Sequence, residues 1–408
     1  ELYRATGDRK YLELAKAVVS QMETRPGLQI VSRSLAGRDV QEIGDGKIYQ
    51  LLWNYVGLEK LFEVTGDSRY KRSVEYAWKN VLADHLTPGG GPWGGVAGHY
   101  EVFNPKGYFH PGGMVETCST MSWIHLNRDL LRVTGDSRYA DQIEKTLYNS
   151  LIGAQDPNGE DWSYFIFPNG RRSNTYYWAC CKSSGALALE EIAPLVAGIR
   201  QGGVAVNLYT EAQARLRTRD AGTVTLGIQT DYPRSGQVRI RVQPEKPAAF
   251  PLFLRVPEWA DGATIAVNGT RIPEPVLSGS YHRLDRPWKN GDEVSLDLPL
   301  KLKVESRAYS LDHHGQEIAH TDYMAVTRGP LVYATGLLDG YKKEETLKVP
   351  KATAELLFSP TATPAGFDGP AFQLTLPGRD PILFLPYYEA GGRSEGKWRT
   401  TWLQVAWQ

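Results

Sequence analysis

The sequence predicts a two-part chain, helical over residues 1–202 and all-β over residues 203–408. Three observations lead there. A Thr-Gly-Asp corner recurs three times in the first half. Apolar residues follow helical spacing around each copy. Near residue 203 the hydrophobic period falls to two.

The corners are Thr6-Gly7-Asp8, Thr65-Gly66-Asp67 and Thr134-Gly135-Asp136, each running on to a tyrosine at Tyr11, Tyr70 or Tyr139. Glycine stops one helix and aspartate caps the next. Ile48, Leu51, Leu52, Tyr55, Leu58, Leu61 and Phe62 form a helical stripe before the second corner; Tyr70, Val74, Tyr76, Ala77 and Val81 form one after it. The unit is a helical hairpin of roughly 60–70 residues, and stacked hairpins build a solenoid or a closed toroid. The far loops are long and Gly-rich, as at Pro88-Gly89-Gly90-Gly91-Pro92-Trp93, and loops on a rigid scaffold are where catalysis concentrates. The chain opens on Glu1-Leu2-Tyr3-Arg4-Ala5, the pattern of a helix end, so a fragment or processed chain is expected.

In the second half, Val224/Leu226/Ile228, Val238/Ile240/Val242, Ile265/Val267 and Val294/Leu296/Leu298 alternate with polar residues. Asn268-Gly269 and Asn290-Gly291 read as hairpin turns, and the whole reads as a β-sandwich or related module. The sequon Asn268-Gly269-Thr270 is better explained by the turn. Residues 338–380 read as a long excursion before a strand at Ile382–Tyr388.

Composition narrows the function. Lys plus Arg (46) balances Asp plus Glu (46), which removes the electrostatic case for nucleic acid or an anionic membrane. No apolar run approaches spanning length, and no leader pattern opens the chain. A compartment is not assigned beyond a soluble, cytoplasmic or periplasmic setting.

The chain has three cysteines, in Glu116-Thr117-Cys118 and Cys180-Cys181. Two readings compete. Free cysteines are often small buried hydrophobes. Three thiols and a carboxylate also make the four ligands of tetrahedral Zn2+. Vicinal Cys180 and Cys181 suit a disulfide poorly. Each motif precedes a helical pattern, with Ser119 and Ser183-Ser184 as candidate N-caps, and a helix N-terminus favours thiolate. Glu116 and Cys118 would face apart on a regular helix, so they share a metal only if the chain is still entering the helix there.

These motifs, together with Arg255-Val256-Pro257-Glu258-Trp259, Val267-Asn268-Gly269, Arg328-Gly329-Pro330-Leu331-Val332-Tyr333 and Pro386-Tyr387-Tyr388, resemble the β-L-arabinofuranosidase family (glycoside hydrolase family 127 and relatives) over nearly the whole chain. The resemblance implies an (α/α)6 barrel followed by β-sandwich domains. Residues 1–202 would be the C-terminal part of that barrel, with about half of it missing, and 203–408 the sandwich part. It implies Zn2+ held by Glu116, Cys118, Cys180 and Cys181, and a retaining mechanism with Cys180 as nucleophile and Glu101 as acid/base. Partners would be a glycoside or oligosaccharide, neither nucleic acid nor membrane, with a homodimer as candidate assembly.

The chain departs from the family pattern at three points. The interval from Glu101 to Glu116 is one residue shorter. Lys182-Ser183-Ser184 follows Cys-Cys where Pro and Asn are usual. Lys47 stands at a pocket histidine, which predicts either neutralisation of a substrate carboxylate, such as an aceric-acid-type furanoside, or a solvated loop residue. His99, Tyr100 and Trp178 are the further candidate sugar contacts, and Trp93, Tyr176 and Tyr177 flank them. The alternative function is a catalytically impaired carbohydrate-binding protein with a structural zinc–thiolate site.

Overall fold

The computed structural model describes residues 1–95, 101–156, 158–171, 179–336, 345–390 and 398–408. The first part is helical: α1 Leu2–Thr6, α2 Arg9–Thr24, α3 Ile30–Leu35, α4 Ile48–Thr65, α5 Ser68–Asp84, α6 Thr117–Thr134, α7 Ser137–Thr146, α8 Ile152–Ala154 and α9 Cys180–Glu190. The three corners are built alike. Gly7, Gly66 and Gly135 take left-handed φ of 73°, 71° and 66°. Asp8, Asp67 and Asp136 accept from the backbone N–H of Lys10, Arg69 and Arg138. The corner threonine hydroxyl donates to the carbonyl four residues back and accepts from the aspartate N–H, so both of these donors are paired.

α4 packs on α5 and α6, and α6 packs on α7 and α9. The stack thus has α4, α6 and α9 side by side, with α5 and α7 outside. α6 is buried on nearly every side from Thr117 to Leu131. Several of its buried polar side chains are paired inside and across the helix: Asn127 donates to the Trp123 carbonyl at 2.8 Å and accepts from Trp78 Nε1 at 2.7 Å, and Thr117 donates to the Ser163 carbonyl at 2.7 Å. Trp78 and Trp123 stack at 6.1 Å between α5 and α6, with Tyr139 edge-on to Trp78 at 4.9 Å.

The second part has three principal sheets. One holds six strands in the order Thr270–Arg271, Thr264–Val267, Asp292–Asp297, Gln237–Pro244, Gly222–Thr230 and Ala212–Thr218. The second holds Ser280–Trp288, Ala248–Val256, Gly203–Val206 and Ala197–Arg200. Inward residues of both, such as Val224, Ile240, Leu252 and Leu254, lie in one buried cluster. The third is organised around Glu317–Arg328, paired with Leu302–Leu311, Leu331–Gly336 and Leu403–Trp407.

Asn268-Gly269 closes a two-residue hairpin between Val267 and Thr270 with both φ positive, 50° and 79°. Asn290-Gly291 does not close a hairpin. Its turn joins Ser280–Trp288 to Asp292–Asp297, which belong to different sheets. The described part of 338–380 is no bare excursion either: it contains Leu347–Val349, a 3-10 segment Lys351–Leu357, Phe358–Thr361 and Ala371–Leu374.

The two parts are joined through Arg255. Its side chain is fully buried, and its guanidinium pairs with Asp141 and Glu144 of α7. Trp259 Nε1 donates to Glu144 Oε2 at 3.3 Å.

Candidate active site and metal centre

The backbone resolves the facing problem at Glu116. Residues Val115–Glu116 form a short strand paired with Phe165–Ile166, and Glu116 is extended (φ −82°, ψ 136°) as the residue capping α6. Cys118 is already helical. The carboxylate and thiol therefore approach from different backbone geometries. The serines do not cap: α6 starts behind Glu116 and α9 behind Ala179. Ser119 instead donates to Glu116 Oε2 at 2.9 Å, and Ser184 donates to Cys118 Sγ at 3.2 Å.

Cys180 and Cys181 open α9, which packs on α6. The thiols of Cys118, Cys180 and Cys181 all lie within 4.8 Å of one another. Cys118 Sγ is 3.2 Å from Cys181 Sγ, which is 3.9 Å from Glu116 Oε1. Two Zn–S bonds of about 2.3 Å at a tetrahedral angle put the sulfurs about 3.8 Å apart, so the donors fit one small cation. Cys118 and Cys181 are buried and Cys180 is exposed, which leaves Cys180 facing the open side.

The electrostatics fit the same conclusion. Hydrogen bonding from Cys181 lowers the Cys118 thiol to about 6. Cys181 is pushed far up by donating to Cys118 and by burial, and burial with the Cys118 charge raises Cys180. Burial, then the Cys118 charge, raises Glu116 to about 8. The Cys118 charge suppresses ionisation of its three neighbours, and a shared divalent cation removes that conflict.

Glu101 lies across the short ladder that ties residues 101–103 to the start of α4. Ile48 N donates to the Glu101 carbonyl and Phe103 N to the Gly46 carbonyl, both at 3.0 Å. Glu101 is 9% exposed. Tyr164 donates to Oε1 at 2.6 Å, and Lys47 Nζ is 2.5 Å from Oε2. Lys47 is thus not a solvated loop residue. The hydrogen bond to Glu101 raises the Lys47 ammonium further above its ordinary value, and burial together with Glu101 holds the Tyr164 phenol far up.

Of the other candidates, His99, Tyr100, Tyr176, Tyr177 and Trp178 lie outside the described residues. Trp93 is 5% exposed and stacks on Tyr108, in an aromatic layer that also holds His110 and Tyr309. The sequence reading missed Tyr49 and Tyr164, and took Ser184 for a helix cap where it is a thiol partner. Tyr49, in the first turn of α4, is raised by burial and then by the Cys118 charge. The Ser184 contact was findable, Ser184 being one helical turn past Cys180 and Cys181.

Asn169 and Gly170, upstream of the cysteine pair, are clamped by the third sheet. Asn169 Oδ1 accepts from Thr401 N (3.0 Å) and Trp402 N (2.8 Å), and Asn169 Nδ2 donates to the Trp402 carbonyl at 2.7 Å. Gly170 pairs with Arg399. On α9, Gly185 lies against the Trp162 ring; a Cβ there would meet Cδ2 at 2.3 Å.

Fold and site define an α-then-β protein whose helical stack ends on a cysteine–carboxylate cluster of metal-ligand chemistry. Family models described as the β-L-arabinofuranosidase GH127 catalytic domain and GH127 middle domain match residues 1–193 and 203–300. The chain belongs to the GH127 β-L-arabinofuranosidase family. A non-reducing end β-L-arabinofuranosidase of Bifidobacterium longum subsp. longum is 22% identical over 385 residues, covering 83% of this chain and 56% of the relative. The chain therefore spans little more than half of that relative's length. A solved glycoside hydrolase superposes with TM-score 0.79 at 22% identity, over 100% of this chain and 74% of its own. The GH127 β-L-arabinofuranosidase of Geobacillus stearothermophilus T6 gives 0.78 at 22%, over 99% and 71%. These likenesses show a shared fold. Among the described residues no helix is long and apolar enough to cross a membrane.

Proposed function

We propose that the chain is part of a retaining glycoside hydrolase acting on non-reducing-end β-L-arabinofuranosides or a related furanoside of plant glycans. The observation that carries this is the convergence of Cys118, Cys180 and Cys181 within 4.8 Å, beside Glu116 and with Cys180 exposed. In this reading residues 1–202 belong to an (α/α)6 barrel, and 203–408 form β-sandwich domains.

Glu116, Cys118, Cys180 and Cys181 are the proposed zinc ligands. Bound Zn2+ would keep the thiols ionised at neutral pH. Cys180 attacks the anomeric carbon; a C–S bond forms as the glycosidic C–O bond breaks. Glu101 gives its proton to the departing oxygen. Water then attacks the same carbon, Glu101 takes its proton, the C–S bond breaks, and the thiolate returns. Two inversions give retention. The substrate is a glycoside, with no role for nucleic acid or membrane, and the homodimer remains the assembly to test.

Elemental analysis of the purified protein and of Cys118→Ser tests the metal, with about one zinc per chain expected and its loss in the variant. Mass spectrometry after a 2-fluoro-furanoside tests the nucleophile, with the sugar expected on Cys180. A label on a residue other than Cys180 would refute Cys180 as nucleophile, and no label with zinc retained would favour a carbohydrate-binding protein with a structural site.

A further inference from the structure

Both oxygens of Glu101 are held, and by chemically unlike groups. Oε2 faces the Lys47 ammonium at 2.5 Å, and Oε1 faces the Tyr164 hydroxyl at 2.6 Å. The lysine is not free to drift. Asp45 accepts from Lys47 N at 3.1 Å, Lys47 bridges Val102, and α4 starts at the next residue. Gly46 is required in this ladder: at φ +71° a Cβ would come within 2.8 Å of the Gln41 carbonyl oxygen.

An ammonium has three donors and no acceptor, so the positive charge beside Oε2 disfavours a proton on that oxygen and drives it to the other. Oε2 is therefore the favoured accepting atom. A tyrosine hydroxyl donates or accepts, so Tyr164 tolerates Oε1 with or without a proton. We propose that Lys47 fixes Oε1 as the atom of Glu101 that gives and takes the catalytic proton. Lys47 is then a positioning residue for the acid/base step and not a receptor for a substrate carboxylate. This rests on the reading of the chain as a glycosidase with Glu101 as acid/base. In the first displacement the Oε1–H bond breaks and the proton passes to the leaving oxygen. In the second a water O–H bond breaks and its proton returns to Oε1. Lys47 keeps its three protons throughout.

The consequence is a dependence on leaving group. Expulsion of an alkoxide needs the proton; expulsion of an acidic phenol scarcely does. The experiment compares methyl and p-nitrophenyl β-L-arabinofuranosides, and the C5-carboxylate analogue of the second, in wild type, Lys47→Met, Lys47→Arg and Glu101→Gln. In K47M, kcat on the methyl glycoside is expected to fall about 10–100-fold with KM nearly unchanged, the p-nitrophenyl glycoside to lose far less, and K47R to recover part of the loss. An equal loss on both leaving groups would overturn the proposal, as would a loss confined to the carboxylated substrate through KM. All variants are made in the full-length protein, and if its wild type and E101Q are alike inactive on every furanoside, the glycosidase reading itself fails. A crystal structure of K47M supplies the readout that needs no turnover. Rotation of the Glu101 carboxylate away from Tyr164 is expected, and an unmoved carboxylate would refute the clamp.

Discussion

Gly185→Ala should uncouple the two cysteine motifs without touching a ligand. The added methyl would meet Trp162 Cδ2 at 2.3 Å, Cε3 at 2.5 Å and Cγ at 2.7 Å. To regain a carbon–carbon contact of about 3.5 Å, α9 or the indole must move by about 1 Å. Trp162 is 7% exposed and packed in the core, so the helix is the freer partner. Overpacking costs about 1–3 kcal/mol, offset by about 1 kcal/mol of helix propensity, leaving a modest net loss. The site suffers more. Metal–ligand distances tolerate about 0.2 Å, and α9 supplies two of the three thiols. Zinc affinity, measured by chelator competition, is expected to weaken about 10–100-fold. Melting of the metal-free protein should move little. Wild-type affinity with unchanged melting in both forms would show that α9 does not set the cysteine geometry through Trp162.

Three further outcomes follow from features away from the chemistry. Arg255→Met strands Asp141 and Glu144 in the interior, and calorimetry should show about 3–5 kcal/mol of lost stability, much of it recovered in R255M/D141N/E144Q. Glu59 is buried, and burial, then Glu63 and Asp129, push its carboxyl up to about 8. Its contribution is complete below the ordinary carboxylate range and is lost as pH rises through 8. Glu59→Gln should therefore match wild type near pH 4 and gain on it by at most about 1.4 kcal/mol per pH unit crossed; a pH-independent difference in melting would contradict this. Asp67→Ala and Asp136→Ala each remove a cap and should cost about 1 kcal/mol in denaturant titration, with Asn at either position restoring most of it.

What was legible in the sequence was local chemistry. The three corners could be read because a left-handed glycine and a capping aspartate act within four residues. Asn268-Gly269 could be read because a two-residue turn with both φ positive closes a hairpin by itself. Asn290-Gly291 has the same chemistry, yet whether a turn joins paired strands depends on partners far along the chain. The cysteine cluster was legible because three thiols near one carboxylate is a rare composition with few chemical uses. The serine caps failed because Glu116 enters α6 from a strand paired with Phe165, a contact nearly fifty residues away. Tyr164 escaped for the same reason, since nothing near it in sequence marks it as a partner of Glu101. Lys47 was noticed, but only the ladder to Val102 shows which carboxylate it meets.

The Asn169 clamp has a consequence for how the protein is made. Asn169, upstream of Cys180, is held by backbone groups of Thr401 and Trp402, more than 230 residues further on. A ribosome emitting about 5–20 residues per second releases the cysteines tens of seconds before their clamp. During that interval three thiols are exposed without their finished cradle, open to stray metals and oxidants. Maturation of the centre is thus tied to completion of the third sheet, and nascent chains stalled before residue 400 should bind zinc weakly and oxidise fastest.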